Sequence, residues 1–208
     1  MPAKRWPLSR FLHVIGNLIS EFDVWPVVFG GHEDKVIGDW LLDRWGSGYN
    51  AAGNLGIRAS LAAMKRCELF IGNDTGTMHM AAAVGLACVA IFSSRERPGL
   101  WYPPGEGHRV FRSAIECEGC GLVECIELGN ECLKRISVDE VLSACRQMLA
   151  ERLPGNETTR QQDDRTTKPR ERKTARPRPV VSGQWSSSPA DCRSSVLERT
   201  IRCGIIPL

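Results

Sequence analysis

The stretch Phe70-Ile71-Gly72-Asn73-Asp74-Thr75-Gly76-Thr77-Met78-His79-Met80-Ala81-Ala82-Ala83-Val84-Gly85 decides the fold. It contains the end of an apolar run, Glu68-Leu69-Phe70-Ile71, long enough for a buried strand. Turn and cap residues follow at Asn73, Asp74 and Thr75, and then helix formers through Val84. Gly85 stops the helix, and residues 86–92 read as the next buried strand. Strand, capped turn, helix, strand is the repeating unit of a parallel α/β sheet. The turn at Asp74-Thr75-Gly76 falls where a strand's carboxyl end meets a helix's amino end. Free N–H groups and the positive end of the helix converge there, which suits a phosphate. In an open α/β sheet this is also where ligands bind.

Outward from this unit, the same alternation continues. Phe11, Leu12, Ile15, Leu18, Ile19 and Phe22 recur on a helical period, so residues 6–22 are expected to form an amphipathic helix with Pro7 in its first turn. Residues 24–29 are a short β-rich run ended by Gly30-Gly31, with Pro26 placed at the start of the strand. Residues 32–45 read as a second helix, acidic at its front through Glu33 and Asp34. A brief strand at 49–52 precedes a third helix over 57–67, with Ile57, Leu61 and Met64 expected inward. After the central unit, residues 93–107 form a long loop holding Arg95, Arg97 and the pair Trp101-Tyr102; loops of this length are often functional. A strand at 108–112, a cysteine-rich segment and a helix capped by Ser137, with Glu140 at the capping-box position, complete the ordered part.

Composition bounds the rest. The 208 residues fit one domain plus a tail, and the 42% apolar fraction is enough for a core. No apolar run approaches the ~20 residues of a membrane span, and no signal-peptide pattern opens the sequence, so a cytoplasmic protein is expected. The net charge of +3 is unevenly spread: 11 Lys/Arg stand against 6 Asp/Glu from Pro154 on, and 16 against 18 before it. The body therefore carries no nucleic-acid footprint, and the basic run over 160–178 lacks the interleaved aromatics of a strand-binding surface. We expect a domain over 1–153 and a disordered basic tail over 154–208, because the tail has too few large apolar residues to offset ordering.

Four signatures in order then point to a family. Lys4-Arg5-Trp6-Pro7 opens a helix, and Gly30-Gly31-x-Glu33 follows a strand. Asp74-Thr75-Gly76-x-x-His79-x-Ala81-Ala82 comes next, and Trp101-x-Pro103 precedes a Cys-x-x-Cys pair. Together they resemble glycosyltransferase family 9, the lipopolysaccharide heptosyltransferases, over about residues 3–149. The resemblance implies a GT-B architecture, of which this sequence looks like the C-terminal, donor-binding half: a three-layer, Rossmann-like parallel sheet. It starts just after the place where that half's first strand would run. The family's catalytic base, an Asp, belongs to the N-terminal acceptor domain, so no residue here inherits that role and the chain alone is expected to be inactive.

The resemblance also assigns residues, each beside a plainer reading. Thr75, Gly76 and Thr77 would hold the donor diphosphate through backbone N–H groups, and Asp74 would bind donor-sugar hydroxyls; Asp and Thr are also favoured helix caps. His79 would donate to the diphosphate, or simply fill space on a helix. Lys4 would neutralise the leaving diphosphate, where composition alone makes it one more terminal lysine. Glu33 would accept from ribose hydroxyls, or merely favour a helix start. Arg95 and Arg97 read as solvated loop charges rather than phosphate ligands. Cys117-x2-Cys120-x4-Cys125-x6-Cys132 places four thiols within reach of one tetrahedral ion, leaving structural zinc and plain thiols both open. The implied ligand is an ADP-heptose-like nucleotide sugar with no required cofactor. The implied acceptor is a lipid-linked saccharide reached through the other domain, with membrane contact at most peripheral, at the cytoplasmic face of the inner membrane. The rival expectation is a non-catalytic nucleotide-sugar-binding domain with an interaction tail.

Overall fold

A computed structural model describes residues 1–152 and 204–207. Six strands form one sheet in the order β2-β1-β6-β3-β4-β5, and every pairing is parallel. In chain order the elements are α1 (Leu8–Phe22), β1 (Val27–Phe29), α2 (Lys35–Trp45), β2 (Tyr49–Asn50) and α3 (Ile57–Met64). The central unit follows as β3 (Leu69–Asn73), α4 (Gly76–Ala83) and β4 (Cys88–Ile91), and then β5 (Arg109–Phe111), α5 (Glu131–Lys134), α6 (Val138–Arg152) and β6 (Gly204–Pro207).

Strand alternation divides the core into two layers. Leu69, Ile71, Val89 and Ile91 face α1 and α6, where Phe11, Val14, Ile15 and Leu18 meet Val141, Leu142, Cys145 and Met148. Phe70, Cys88, Ala90 and Phe92 face the other way, onto Met64 of α3 and Met78, Ala81 and Ala82 of α4. Side chains of successive strand residues point to opposite faces, so a strand covered on both sides reads as an unbroken apolar run. All five residues of β3 and all four of β4 are buried for that reason. The alanines of α4 let that helix lie close against the sheet.

Local chemistry sets the ends of the helices. Ser137 and Glu140 form the expected capping box: Glu140 N–H donates to Ser137 Oγ (3.2 Å) and Ser137 N–H donates to the Glu140 carboxylate (3.0 Å). The Ser137 hydroxyl, which donates to Glu140 Oε2 at 2.7 Å, and then the Ser137 N–H hold the Glu140 carboxyl below its usual range. The Arg146 guanidinium grips both oxygens of Glu21 at 2.6 and 2.7 Å, tying α6 to α1. Pro26 sits just before β1, and its carbonyl accepts from Tyr49 N–H at 2.9 Å.

Two expectations change. Residues 32–34 form a 3-10 turn ahead of α2 instead of its first turn. Ile57 is 71% exposed because it is the first residue of α3, before the helix reaches the sheet. The cysteine segment, to which the sequence assigned no element, contains a short helix, α5. Residues 153–203 and 208, and with them most of the expected tail, lie outside the described residues; residues 204–207 are a strand within the sheet. That strand lies between β1 and β3, in the middle of the sheet.

Candidate functional site

The site is built from the sheet's carboxyl edge and the first residues of the chain. Residues 2–4 make one 3-10 turn that is pinned from several directions. Ala3 N–H donates to Val123 O at 3.0 Å, and Asn130 Nδ2 donates to Pro2 O at 3.1 Å. Trp6 is 2% exposed, packs edge-on against Phe11 and donates its indole N–H to Ile136 O at 3.1 Å. Its backbone N–H donates to Asn73 Oδ1 at 2.9 Å. A terminal segment so anchored holds Lys4 in a fixed position instead of leaving it in solvent.

Lys4 Nζ lies 2.5 Å from Asp74 Oδ2. Asp74 follows β3 directly, is 6% exposed and donates its own N–H to Ile91 O at 3.2 Å. His79 Nε2 stands 4.0 Å from the other carboxylate oxygen, Oδ1. The His79 ring meets the Trp101 ring edge-on with centroids 6.4 Å apart, so the long loop contributes an aromatic to the same region. Lysine, aspartate and histidine thus form one polar group at the start of α4.

The amino end of α4 is arranged to receive an acceptor. Thr75 is the N-cap in extended conformation, yet its side chain makes no cap hydrogen bond. Its hydroxyl instead contacts Thr77 Oγ1 at 2.8 Å. The first amides that bond back onto the turn are those of Met78 and His79, both to Thr75 O. The N–H groups of Gly76 and Thr77 precede the first such bond, as at any helix start, and there they add to the positive helix end. The plain capping reading of Thr75 is therefore not what the side chain does.

Glu33 occupies a different corner. It is exposed, in the turn after β1, and β6 separates β1 from β3. Two strand spacings put roughly 10 Å between the β1 and β3 axes. The turn beside it is organised by Asp34, a residue that sequence reasoning treated only as a favourable helix-start charge. Asp34 is 7% exposed and accepts Gly31 N–H at 2.8 Å. Burial raises its pKa, partly offset by the Gly31 hydrogen bond. A Cβ on Gly30 would sit 2.5 Å from Asp34 Oδ2, which explains why glycine is needed there. Asn73 was likewise read as a turn residue; its 2% exposure and its bond to Trp6 make it the joint between β3 and the N-terminal segment.

The remaining predicted residues lie away from the start of α4. Arg95 donates to Leu122 O at 2.7 Å and Gly121 O at 2.6 Å and pairs with Glu96, so it fastens the cysteine loop instead of reaching the helix end. Arg97 is exposed on the long loop. Cys117, Cys120, Cys125 and Cys132 line one pocket with Ala3 and Arg95. The Cys117 thiol is pushed up, first by desolvation and then by the neighbouring thiols. Among the described residues, however, no set of three or more His, Cys, Asp or Glu side chains is placed to hold a metal ion. Of the two readings left open, plain thiols and structural zinc, the zinc one finds no support there: a shared pocket is not tetrahedral convergence.

Fold and site together define a Rossmann-like parallel α/β domain with a polar group at the carboxyl edge of its sheet. More particularly, the chain belongs to glycosyltransferase family 9 (heptosyltransferase), whose pattern matches residues 1–129. It is similar to lipopolysaccharide heptosyltransferase 2 of Salmonella typhimurium, 31% identical over 117 residues, which are 53% of this chain and 33% of that protein. Among solved structures it is similar to the ADP-heptose LPS heptosyltransferase II of Escherichia coli, with TM-score 0.60 and 25% identity over 72% of this chain and 43% of that one. The family 9 glycosyl transferase of Veillonella parvula gives TM-score 0.59 and 29% identity over 73% and 44%. The chain spans about a third of the curated relative and less than half of each solved chain. The family resemblance and the parallel α/β class read from the motifs are both borne out.

Proposed function

We propose that this chain is the donor-binding half of an inverting GT-B glycosyltransferase that takes an ADP-heptose-like nucleotide sugar. The observation that carries the reading is the Lys4–Asp74 pair at the start of α4. A cation, a buried carboxylate and helix-start amides in one place suit a sugar diphosphate. Thr75, Gly76 and Thr77 offer backbone N–H groups to the diphosphate, and Lys4 neutralises the charge that grows on it as the sugar leaves. Asp74 then turns from Lys4 toward donor-sugar hydroxyls, with His79 as a further donor to the phosphates. Glu33, across the sheet, takes the ribose end of the nucleotide.

In this scheme the sugar moves in a single displacement at its anomeric carbon. The acceptor hydroxyl loses its proton to a base on the other domain, and the nucleoside diphosphate leaves toward Lys4 and the α4 end. No metal is required for that charge stabilisation, because a fixed lysine and the helix end supply it. The acceptor is a lipid-linked saccharide of the lipopolysaccharide core, met at the cytoplasmic face of the inner membrane through the other domain. Among the described residues no helix is long and apolar enough to cross a membrane. Calorimetric titration with ADP, UDP and GDP tests the proposal: saturable binding, strongest for ADP, is expected, and heats no larger than dilution for all three would refute it.

A further inference from the structure

We propose that Trp101 is the platform on which the sugar of the donor stacks, an inference that rests on the nucleotide-sugar reading above and adds to it the residue that recognises the sugar. Trp101 is 50% exposed, yet the chain on both sides of it is fastened. Tyr102, the next residue, packs on Phe92 with ring centroids 5.0 Å apart, and Pro103 is buried. His108 Nδ1 accepts from Cys88 N–H at 3.1 Å, which leaves the ring proton on Nε2 to be donated to Pro104 O at 3.0 Å. Before the tryptophan, Leu100 N–H closes a turn onto Arg97 O at 3.3 Å. A large apolar side chain held in place and half in water has area to offer a ligand, because covering that area on binding is favourable.

The neighbours of Trp101 indicate which part of the donor it meets. Its ring stands edge-on to that of His79 with centroids 6.4 Å apart, and His79 Nε2 is 4.0 Å from Asp74 Oδ1. The indole is therefore beside the side chains assigned above to the sugar hydroxyls and the phosphates. The sheet also gives it a side. Glu33 follows β1 and Trp101 follows β4, and these strands lie on opposite sides of β3. A nucleotide sugar laid along this edge, with its ribose at Glu33 and its diphosphate at the start of α4, carries its sugar on toward His79 and Trp101. A pyranose has a face of weakly positive C–H groups and a rim of hydroxyls. The face suits the negative face of an indole, and the rim suits Asp74 and His79. A nucleobase would also stack on an indole, but with the ribose at Glu33 the base lies at the far end of the ligand.

The test compares ADP with ADP-heptose by calorimetry on the full chain. The unaltered protein is expected to bind ADP-heptose more tightly than ADP, and Trp101→Ala to reduce that preference about 3- to 10-fold, the worth of one aromatic stack. Trp101→Phe keeps a ring and retains most of the preference. A preference that is absent from the unaltered protein, or unchanged in Trp101→Ala, overturns the proposal. So does an equal loss for both ligands, which marks a nucleobase platform instead. If neither nucleotide binds, the nucleotide-sugar reading itself fails, and free heptose then decides the platform. Its titration is followed at the Trp101 indole N–H resonance, identified as the one missing from Trp101→Phe. A saturable shift of that resonance sustains the sugar platform, and a resonance unmoved by a large excess of heptose overturns it.

Discussion

Lys4 Nζ and Asp74 Oδ2 stand 2.5 Å apart although 70 residues separate them in the chain. Trp6, Asn73 and Ile136 fix the backbone on either side of this pair. The charge pair is therefore a product of tertiary anchoring, and its placement at the start of α4 gives it a use beyond stability.

Removing the cation has two effects. Lys4→Met is expected to weaken binding of a nucleoside diphosphate about 10- to 100-fold, the scale of one charge-assisted contact. It also leaves a buried carboxylate without its partner, lowering stability by about 1–3 kcal/mol. Calorimetry reads the first and thermal unfolding the second.

Asp34 carries a pH dependence of the opposite sign to an ordinary surface carboxylate. Burial raises its folded pKa above the unfolded value. Its contribution is therefore most favourable below the unfolded pKa and is lost as pH rises through the folded one. Asp34→Asn keeps an oxygen to accept Gly31 N–H and cannot ionise. At pH 7 it is expected to be as stable as the unaltered chain or more so, with the advantage gone near pH 3. Unfolding midpoints across that range give the comparison.

Glu140 behaves in the usual direction. Its folded pKa lies below the unfolded value because Ser137 donates to it. That stabilisation is present above the unfolded pKa and is lost as pH falls through the folded one. Ser137→Ala is expected to cost about 1 kcal/mol at pH 7, a typical cap. The difference from the unaltered protein should narrow as pH is lowered below about 4, when the carboxylate is protonated in both.

Gly53 has φ +69°, and a Cβ there would lie 2.9 Å from the Cα of His32. Its N–H donates to Gly30 O at 3.2 Å, so the backbone has little freedom to move away. Gly53→Ala is expected to destabilise by about 1–2 kcal/mol through strain in a left-handed conformation. A full retention of the unfolding midpoint would count against this tight approach of the two turns.

Much of this was legible in the sequence because the signals were local. The run from Leu69 to Asn73, the helix-forming stretch after Gly76 and the stop at Gly85 each follow from side-chain type and spacing, and the structure returns them within a residue or two. The Ser137 capping box is equally local. Lys4 and Asp74 were picked out separately through the family resemblance, but only tertiary contact shows that they touch. Asp34 reads in the sequence only as a helix-start charge, because its burial depends on the turn at Gly30-Gly31 and not on its own neighbours in a helix. The strand at Gly204–Pro207 was hidden for a similar reason: four residues beyond a polar tail gain strand structure from the backbones of β1 and β3, which no local pattern encodes. The four cysteines left two readings open in the sequence, because spacing along the chain does not say whether thiols converge on one point; among the described residues they are not placed to hold an ion.

The most direct measurement of the central claim is a titration of ADP into isotopically labelled chain, followed through the backbone amide resonances. The account predicts saturable shifts that are largest at Gly76 and Thr77, with smaller ones at Asp74 and around Glu33, and their loss in Lys4→Met at the same ADP concentration. Shifts confined to residues away from the start of α4, or none at millimolar ADP, would contradict it.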